Sequence, residues 1–141
     1  MTTFTGHCLC GSVRYKAFGT PLNTSLCHCE DCRRASGSPF QGWVFFPKTN
    51  IHILSGDLRV HHYDGRERTF CAACGSPISF FDSAYPDLME LTLGTMDDAA
   101  SLKPDDYNWM ADHLPWLLID HEIPQFTHNG PPPLLMKSTE Q

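Results

Sequence analysis

Apolar and polar positions alternate in short runs over most of this chain. Ser12–Ala17 (SVRYKA) alternates and carries Val13 and Tyr15, as a strand with one buried face would. Gly42–Phe46 (GWVFF) is a compact apolar run ended by Pro47. Ile51–Leu54 and Leu58–Tyr63 flank Ser55-Gly56-Asp57, a hairpin-like break, and Asp64-Gly65 punctuates before Glu67–Cys71. Ile78–Phe81 and Met89–Leu93 follow. These runs are rich in β-branched and aromatic residues and are separated by Gly, Pro, Asn and Asp, so they predict strands. No segment before residue 95 sustains a 3.6-residue period. One helical turn is expected at Arg33–Ser36 and another at Asp97–Leu102, with Asp97 or Asp98 near its cap. Lys103–Ile119 mixes Pro, Asp and Trp and is expected to wrap the sheets. The fold class is therefore mainly β, with small antiparallel sheets and few short helical turns.

Length and composition narrow this further. A chain of 141 residues with 41% hydrophobic and 18% charged residues is one globular domain. Residues 1–126 are read as that domain and residues 127–141 as a Pro-rich tail. In that tail Pro131-Pro132-Pro133 favours polyproline geometry, and Lys137–Gln141 is expected to fray. The formal charge of −6 argues against broad electrostatic binding to nucleic acid or to an anionic membrane. The apolar run Trp116–Ile119 is far too short for a spanning helix. The opening MTTFTGHC has neither a basic nor an apolar leader region, so a cytoplasmic location is expected.

Seven cysteines change the picture most. Their number is odd, so they cannot all pair within the chain, and they are clustered: Cys8 and Cys10; Cys27, Cys29 and Cys32; Cys71 and Cys74. In a reducing compartment such clusters read as metal ligands or catalytic thiols. Cys8-Leu9-Cys10-Gly11 sets two thiols at i and i+2, which share a face of an extended chain. Cys71-Ala72-Ala73-Cys74-Gly75 has zinc-knuckle spacing, and Gly75 permits a positive φ just past the second thiol. Together they offer four thiolates for a closed tetrahedral zinc site that would pin the first strand to a later hairpin. Buried free thiols or a redox pair are the other reading, but no βαβ pattern surrounds the C-x-x-C.

The middle cluster, Cys27-His28-Cys29-Glu30-Asp31-Cys32-Arg33-Arg34, offers three thiolates and no obvious fourth ligand. A three-ligand site leaves a position for water or substrate. His28 lies between two ligands and on an extended chain points the other way, toward a supporting or substrate-facing role. Arg33 and Arg34 would offset the negative charge of a zinc trithiolate and hold a carboxylate of an incoming ligand; otherwise they are solvated surface arginines. His28, Glu30 and Asp31 are candidate general bases by adjacency. Iron–sulfur spacing is not matched. Trp43, Trp109 and Trp116 read as core or rim aromatics, and His52, His61 and His62 as surface positions.

Taken together, the C-x-C-G, the C-H-C-x-x-C-R and the later F-C-x-x-C-G resemble the glutathione-dependent formaldehyde-activating enzyme family. Gly37-Ser38-Pro39-Phe40, Gly42-Trp43-Val44, Leu93-Gly94-Thr95-Met96-Asp97-Asp98 and Leu114-Pro115-Trp116 extend the likeness over most of residues 4–126. The resemblance implies a tent-like fold of small β-sheets stapled by zinc. It implies a structural zinc on Cys8, Cys10, Cys71 and Cys74, and a second, catalytic zinc on Cys27, Cys29 and Cys32. The implied activity is that of a carbon–sulfur lyase, joining formaldehyde to glutathione or cleaving the adduct, with Arg33 and Arg34 orienting the glutathione carboxylates. One departure is local: where family members often carry His-Ile, this chain has Tyr107-Asn108, followed by Trp109. The expected partner is a small thiol, glutathione first, with no nucleic acid and no membrane. A non-enzymatic zinc-stapled binding module and a thiol or metal sensor remain the alternatives.

Overall fold

The computed structural model describes residues 2–131. In chain order the elements are β1 (Thr3–His7), β2 (Arg14–Phe18), β3 (Asn23–Cys27), helix α1 (Glu30–Ser36), β4 (Gln41–Pro47), β5 (Ile51–Ser55), β6 (Leu58–Tyr63), β7 (Arg66–Cys71), β8 (Pro77–Asp82), β9 (Leu88–Thr92) and β10 (Asp106–Asn108). Strands β1-β2-β5 form a three-stranded sheet, and β10-β3-β4-β9-β8-β7-β6 form a seven-stranded one. Strand β10 runs parallel to β3; the other ladders are antiparallel. The mainly β expectation holds. No helix among the described residues is long and apolar enough to cross a membrane.

The period of two along each strand decides where the core sits. In β4, Val44 and Phe46 are fully buried on one face, while Trp43 and Phe45 turn to the other. In β2, Tyr15 and Ala17 are buried and Arg14 and Lys16 are exposed. Val13, Tyr15 and Ala17 from the small sheet meet Val44, Phe46, Ile78 and Leu91 from the large one. Fully burying each of the larger side chains contributes about 1.5–3 kcal/mol. A bulge between Thr69 and Phe70 shifts the β7–β8 register, leaving Ile78 in the core and Phe80 on the opposite face.

Three strands are invisible to hydrophobic patterning. Strand β3 (NTSLC) is polar yet buried, because its side chains grip β10. Asn23 Nδ2 and Ser25 Oγ donate to the Asp106 carboxylate at 3.0 and 2.6 Å, and Thr24 N–H donates to Asp105 Oδ2 at 2.8 Å. Strand β10 therefore lies inside Lys103–Ile119, where only a wrapping segment is expected. Strand β1 carries Gly6 at its most buried point. Helix α1 is longer than the single turn expected, ending at Gly37 with φ 68° and an N–H on the Arg33 carbonyl. At Asp97–Leu102 a 3-10 turn covers Ala99–Ser101; Asp98 precedes it, but its carboxylate accepts from Ser101 Oγ instead of a backbone N–H.

Residues 127–131 pack back on the domain. Trp109, Met110 and Ala111 donate their N–H groups to His128, Phe126 and Thr127 carbonyls, and Trp109 Nε1 donates to Asn129 Oδ1 at 2.7 Å. The rest of the Pro-rich tail, including Pro132, Pro133 and Lys137–Gln141, lies outside the described residues.

Gly6 marks where β1 crosses the core: a Cβ there would collide with the Tyr15 ring and the Thr95 carbonyl. Gly6→Ala is expected to cost about 1–3 kcal/mol by overpacking, lowering Tm by several degrees, whereas Gly94→Ala, whose Cβ meets nothing, is expected to be near neutral. Equal melting of the two variants by calorimetry would sink this account of the β1 crossing.

Candidate functional site

All seven cysteines are free thiols, and they fall into two clusters whose sulfurs lie within 4.8 Å of one another in each. The first joins Cys8 and Cys10, in the β1–β2 turn, to Cys71 and Cys74, at the β7–β8 turn. The two turns are built alike. Gly11 N–H donates to the Cys8 carbonyl and Gly75 N–H to the Cys71 carbonyl, and both glycines take φ 78°. Backbone N–H groups then aim at sulfur: Val13 at Cys8 Sγ (3.3 Å), Ala73 and Cys74 at Cys71 Sγ (3.4 Å each). Ser12 Oγ lies 3.1 Å from Cys10 Sγ and 3.4 Å from Cys71 Sγ. The hydroxyl and N–H of Ser76 pull Cys74 down to about 5. At Cys8 burial raises the thiol, but the Val13 N–H, Cys10 and Ser12 outweigh it and bring it to about 7.

The second cluster joins Cys27 at the end of β3, Cys29 at the N-cap of α1 and Cys32 in its first turn. Cys27 Sγ donates to Cys29 Sγ at 3.4 Å, and Cys29 Sγ accepts from Cys32 N–H at 3.3 Å. Hydrogen bonds from Cys27 and Cys29, then the Arg68 guanidinium, hold Cys32 down at about 2. Cys27 is pushed far up, first by its bond to Cys29, then by Cys32 and by burial. The cluster thus concentrates negative charge on Cys32. Zinc with thiolates at about 2.3 Å sets sulfurs roughly 3.8 Å apart. The closest contacts, 3.5 and 3.9 Å in the first cluster and 3.4 Å in the second, match that spacing, and soft sulfur donors suit zinc. Both clusters could hold a metal ion.

The three-cysteine cluster opens on a cavity. Its volume is about 480 Å³, and Cys27, Cys29 and Cys32 line one end. The floor is the face of the large sheet turned from the core: Asn23 on β3, Trp43 and Phe45 on β4, Leu88 and Glu90 on β9, Phe80 and Asp82 on β8, Arg66 and Arg68 on β7. Phe45, Glu90, Phe80 and Arg68 form one cross-strand row. Asn108 and Trp109 form part of the wall. Trp43 is buried at the base, Trp109 packs against the cysteines and Trp116 is exposed, 66% accessible.

Arg68 is the residue that reading along the chain missed. Its Nη2 donates to Cys32 Sγ at 3.5 Å and its Nε to the Tyr63 hydroxyl at 2.6 Å, and the guanidinium lies 4.8 Å from the Phe80 ring centre. Arg33 and Arg34 are not among the cavity-lining residues. Helix α1 turns Arg34 outward, where its Nε donates to Glu30 at 2.8 Å, and the Arg33 Nε is buried without a partner. His28 is buried away from the sulfurs, its ring 5.4 Å from Phe40 and 5.7 Å from Tyr107, with neither ring nitrogen hydrogen-bonded. Tyr107 is thus buried beside His28, while Asn108 pairs with Cys27 across β10–β3 and lines the cavity. Glu90 is half-buried between its ladder partners Phe45 and Phe80, and burial raises its carboxyl well above the usual range.

Comparison with known proteins agrees with this geometry. A crystal structure of a Rhodobacter sphaeroides protein superposes with a TM-score of 0.57 at 19% identity, covering 67% of this chain and 88% of that one. A Schizosaccharomyces pombe protein named an uncharacterized lyase is 31% identical over 80 residues, 57% of this chain and 58% of its own length. A Halomonas elongata protein, provisionally named a glutathione-dependent formaldehyde-activating enzyme, is 24% identical over 125 residues, 82% of this chain and 80% of that one. The family model described as glutathione-dependent formaldehyde-activating enzyme matches residues 3–112, so the chain belongs to that family.

Proposed function

We propose that this chain is a zinc-dependent carbon–sulfur lyase that joins a thiol, glutathione first, to formaldehyde or a related carbonyl, or cleaves the adduct. The observation that carries this reading is a three-sulfur cluster at one end of a 480 Å³ cavity, in a chain of this family. Cys8, Cys10, Cys71 and Cys74 would hold a structural zinc, and Cys27, Cys29 and Cys32 a second one. Zinc held by the three cysteines supplies a Lewis acid that favours the thiolate form of an added thiol at neutral pH.

The chain's own groups do the rest. Arg68 steadies Cys32 and places a positive charge beside the anionic sulfurs. Trp43, Phe80 and Trp109 pack beside the cysteines and give that end of the cavity an apolar lining. As the thiol sulfur bonds to the carbonyl carbon, the π pair moves to oxygen, which needs a proton. Glu90, whose carboxyl burial raises well above the usual range, is the acid on the floor that would supply it, and its carboxylate would take the proton back in cleavage. Arg33 and Arg34, expected to hold carboxylates, do not line this cavity, and Arg34 is paired with Glu30 at the surface.

The two clusters are expected to respond differently to mutation. A structural zinc contributes on the order of 10 kcal/mol, so Cys8→Ser or Cys71→Ser should give unfolded protein. Cys29→Ser should fold and retain one zinc by elemental analysis. Loss of both metals in Cys29→Ser, or a wild-type melt in Cys71→Ser, would reverse the assignment.

Calorimetric titration of zinc-loaded protein should detect glutathione and fail with S-methylglutathione, because a thioether is a poor zinc ligand. Arg68→Met should weaken the cluster's hold on the second metal about tenfold or more, and equal binding of the two glutathiones would refute sulfur coordination.

The Glu90 carboxyl also makes a pH prediction. Its pKa is raised in the folded state, so its contribution to stability is complete below the unfolded value and fades as pH climbs through the folded one. Glu90→Gln, neutral throughout, should therefore gain Tm relative to wild type as pH rises above the ordinary carboxyl range, while losing lyase activity. A Tm difference that does not change with pH would remove Glu90 from its role as a buried acid.

A further inference from the structure

The cavity runs beyond the sulfurs, along β7 and β8, to Arg66 and Asp82. These two face each other directly across the ladder, and both are partly exposed. Their contact is loose, Arg66 Nε to Asp82 Oδ2 at 3.5 Å, while Ala84 N–H fixes the other carboxylate oxygen at 2.9 Å. The Asp82 carboxylate is thus held in place, and the outer nitrogens of Arg66 have no hydrogen-bond partner among the described residues.

The other charged groups lining the cavity are committed or lack a counterpart. Arg68 is bonded to Tyr63 and Cys32. Asp106 accepts from Asn23 and Ser25, and Glu30 is paired with Arg34. Asp31 and Asp112 are exposed and have no paired arginine. Among the described residues lining the cavity, Arg66 and Asp82 are the cation and anion that stand side by side with capacity left over.

Such a pair suits a group that carries an ammonium and a carboxylate on one carbon. Arg66 lies two residues from Arg68, about 7 Å along the strand, and Arg68 touches Cys32. A γ-glutamyl arm, extended from a thiol near the cysteines, spans about the same distance before it reaches its α-carbon. We infer that Arg66 and Asp82 form a subsite for the α-amino-acid head of a γ-glutamyl thiol, with its carboxylate on the Arg66 guanidinium and its ammonium on the Asp82 carboxylate. This rests on the thiol-binding reading above and adds to it the part of the ligand that confers selectivity.

The test uses zinc-loaded protein and two thiols, glutathione and N-acetylcysteinylglycine, which keeps the cysteinylglycine part and lacks the γ-glutamyl head. Wild type is expected to bind glutathione about tenfold more tightly, the scale of a charge-assisted contact at a partly exposed site. Arg66→Gln and Asp82→Asn should each shrink that preference and leave N-acetylcysteinylglycine binding unchanged. Asn at position 82 keeps the acceptor for Ala84 N–H, so the turn is preserved. Glutathione acetylated on its glutamyl nitrogen tests the Asp82 contact without any substitution, and it should bind wild type more weakly than glutathione does. Equal wild-type affinity for glutathione and N-acetylcysteinylglycine, or a preference that survives both substitutions, overturns the subsite and leaves thiol binding standing. Failure of both thiols to bind overturns the thiol-binding reading and takes the subsite with it.

Discussion

A β-sheet has two faces, and in this protein the seven-stranded sheet has different uses for them. Val44, Phe46 and Leu91 close the core against β2, and the residues between them, Trp43, Phe45 and Glu90, are turned outward by the strand period alone. The cavity floor follows from core packing in this way. A one-residue slip of β4 would put Trp43 and Phe45 into the core and Val44 and Phe46 under the ligand space. The register of β4 against β3 and β9 therefore governs stability and site geometry together. The polar grip of Asn23 and Ser25 on Asp106 holds the β10 end of the same sheet, where hydrophobic packing is thin.

The cysteines sit where strands end, and that position separates their roles. The β1–β2 and β7–β8 turns belong to different sheets, so a metal on Cys8, Cys10, Cys71 and Cys74 would lock one sheet to the other. Cys27, Cys29 and Cys32 are local, from the end of β3 through the first turn of α1, and they tie together no distant parts of the chain. Losing the first set removes a long-range constraint; losing the second leaves the sheets paired. Backbone N–H groups directed at Cys8, Cys29 and Cys71 serve thiolates in both places. The donor chemistry is thus shared, and what differs is the space beside it.

Much of this was legible along the chain, for definable reasons. Strands β2, β4, β5, β6, β7, β8 and β9 carry apolar or aromatic runs between turn residues, so alternation finds them. Cysteine spacing likewise finds both clusters, because ligands close in sequence must be close in space. Strands β3 and β10 escape because their burial is satisfied by hydrogen bonds, leaving Asn, Thr, Ser and Asp where patterning looks for Val or Ile. Strand β1 escapes because its contact point is Gly6, chosen for the absence of a side chain.

The arginines show the limit most clearly. Arg33 and Arg34 adjoin the ligands in sequence, yet a helix turns successive residues about 100° apart, and α1 commits the Cys32 side to the sulfurs. The cation that reaches Cys32 comes instead from Arg68, 36 residues away, delivered across the three strands β4, β9 and β8 that separate β3 from β7 and held among Trp43, Tyr63 and Phe80. The same logic reconciles a chain of net charge −6 with anionic sulfurs in a cleft. Long-range repulsion between exposed charges is screened within about a Debye length, so the charge that matters to the cluster is the one in contact with it. A half-buried guanidinium on rigid strands meets that need, and Arg66, on the same face of the same strand, extends the positive edge toward the mouth of the cavity.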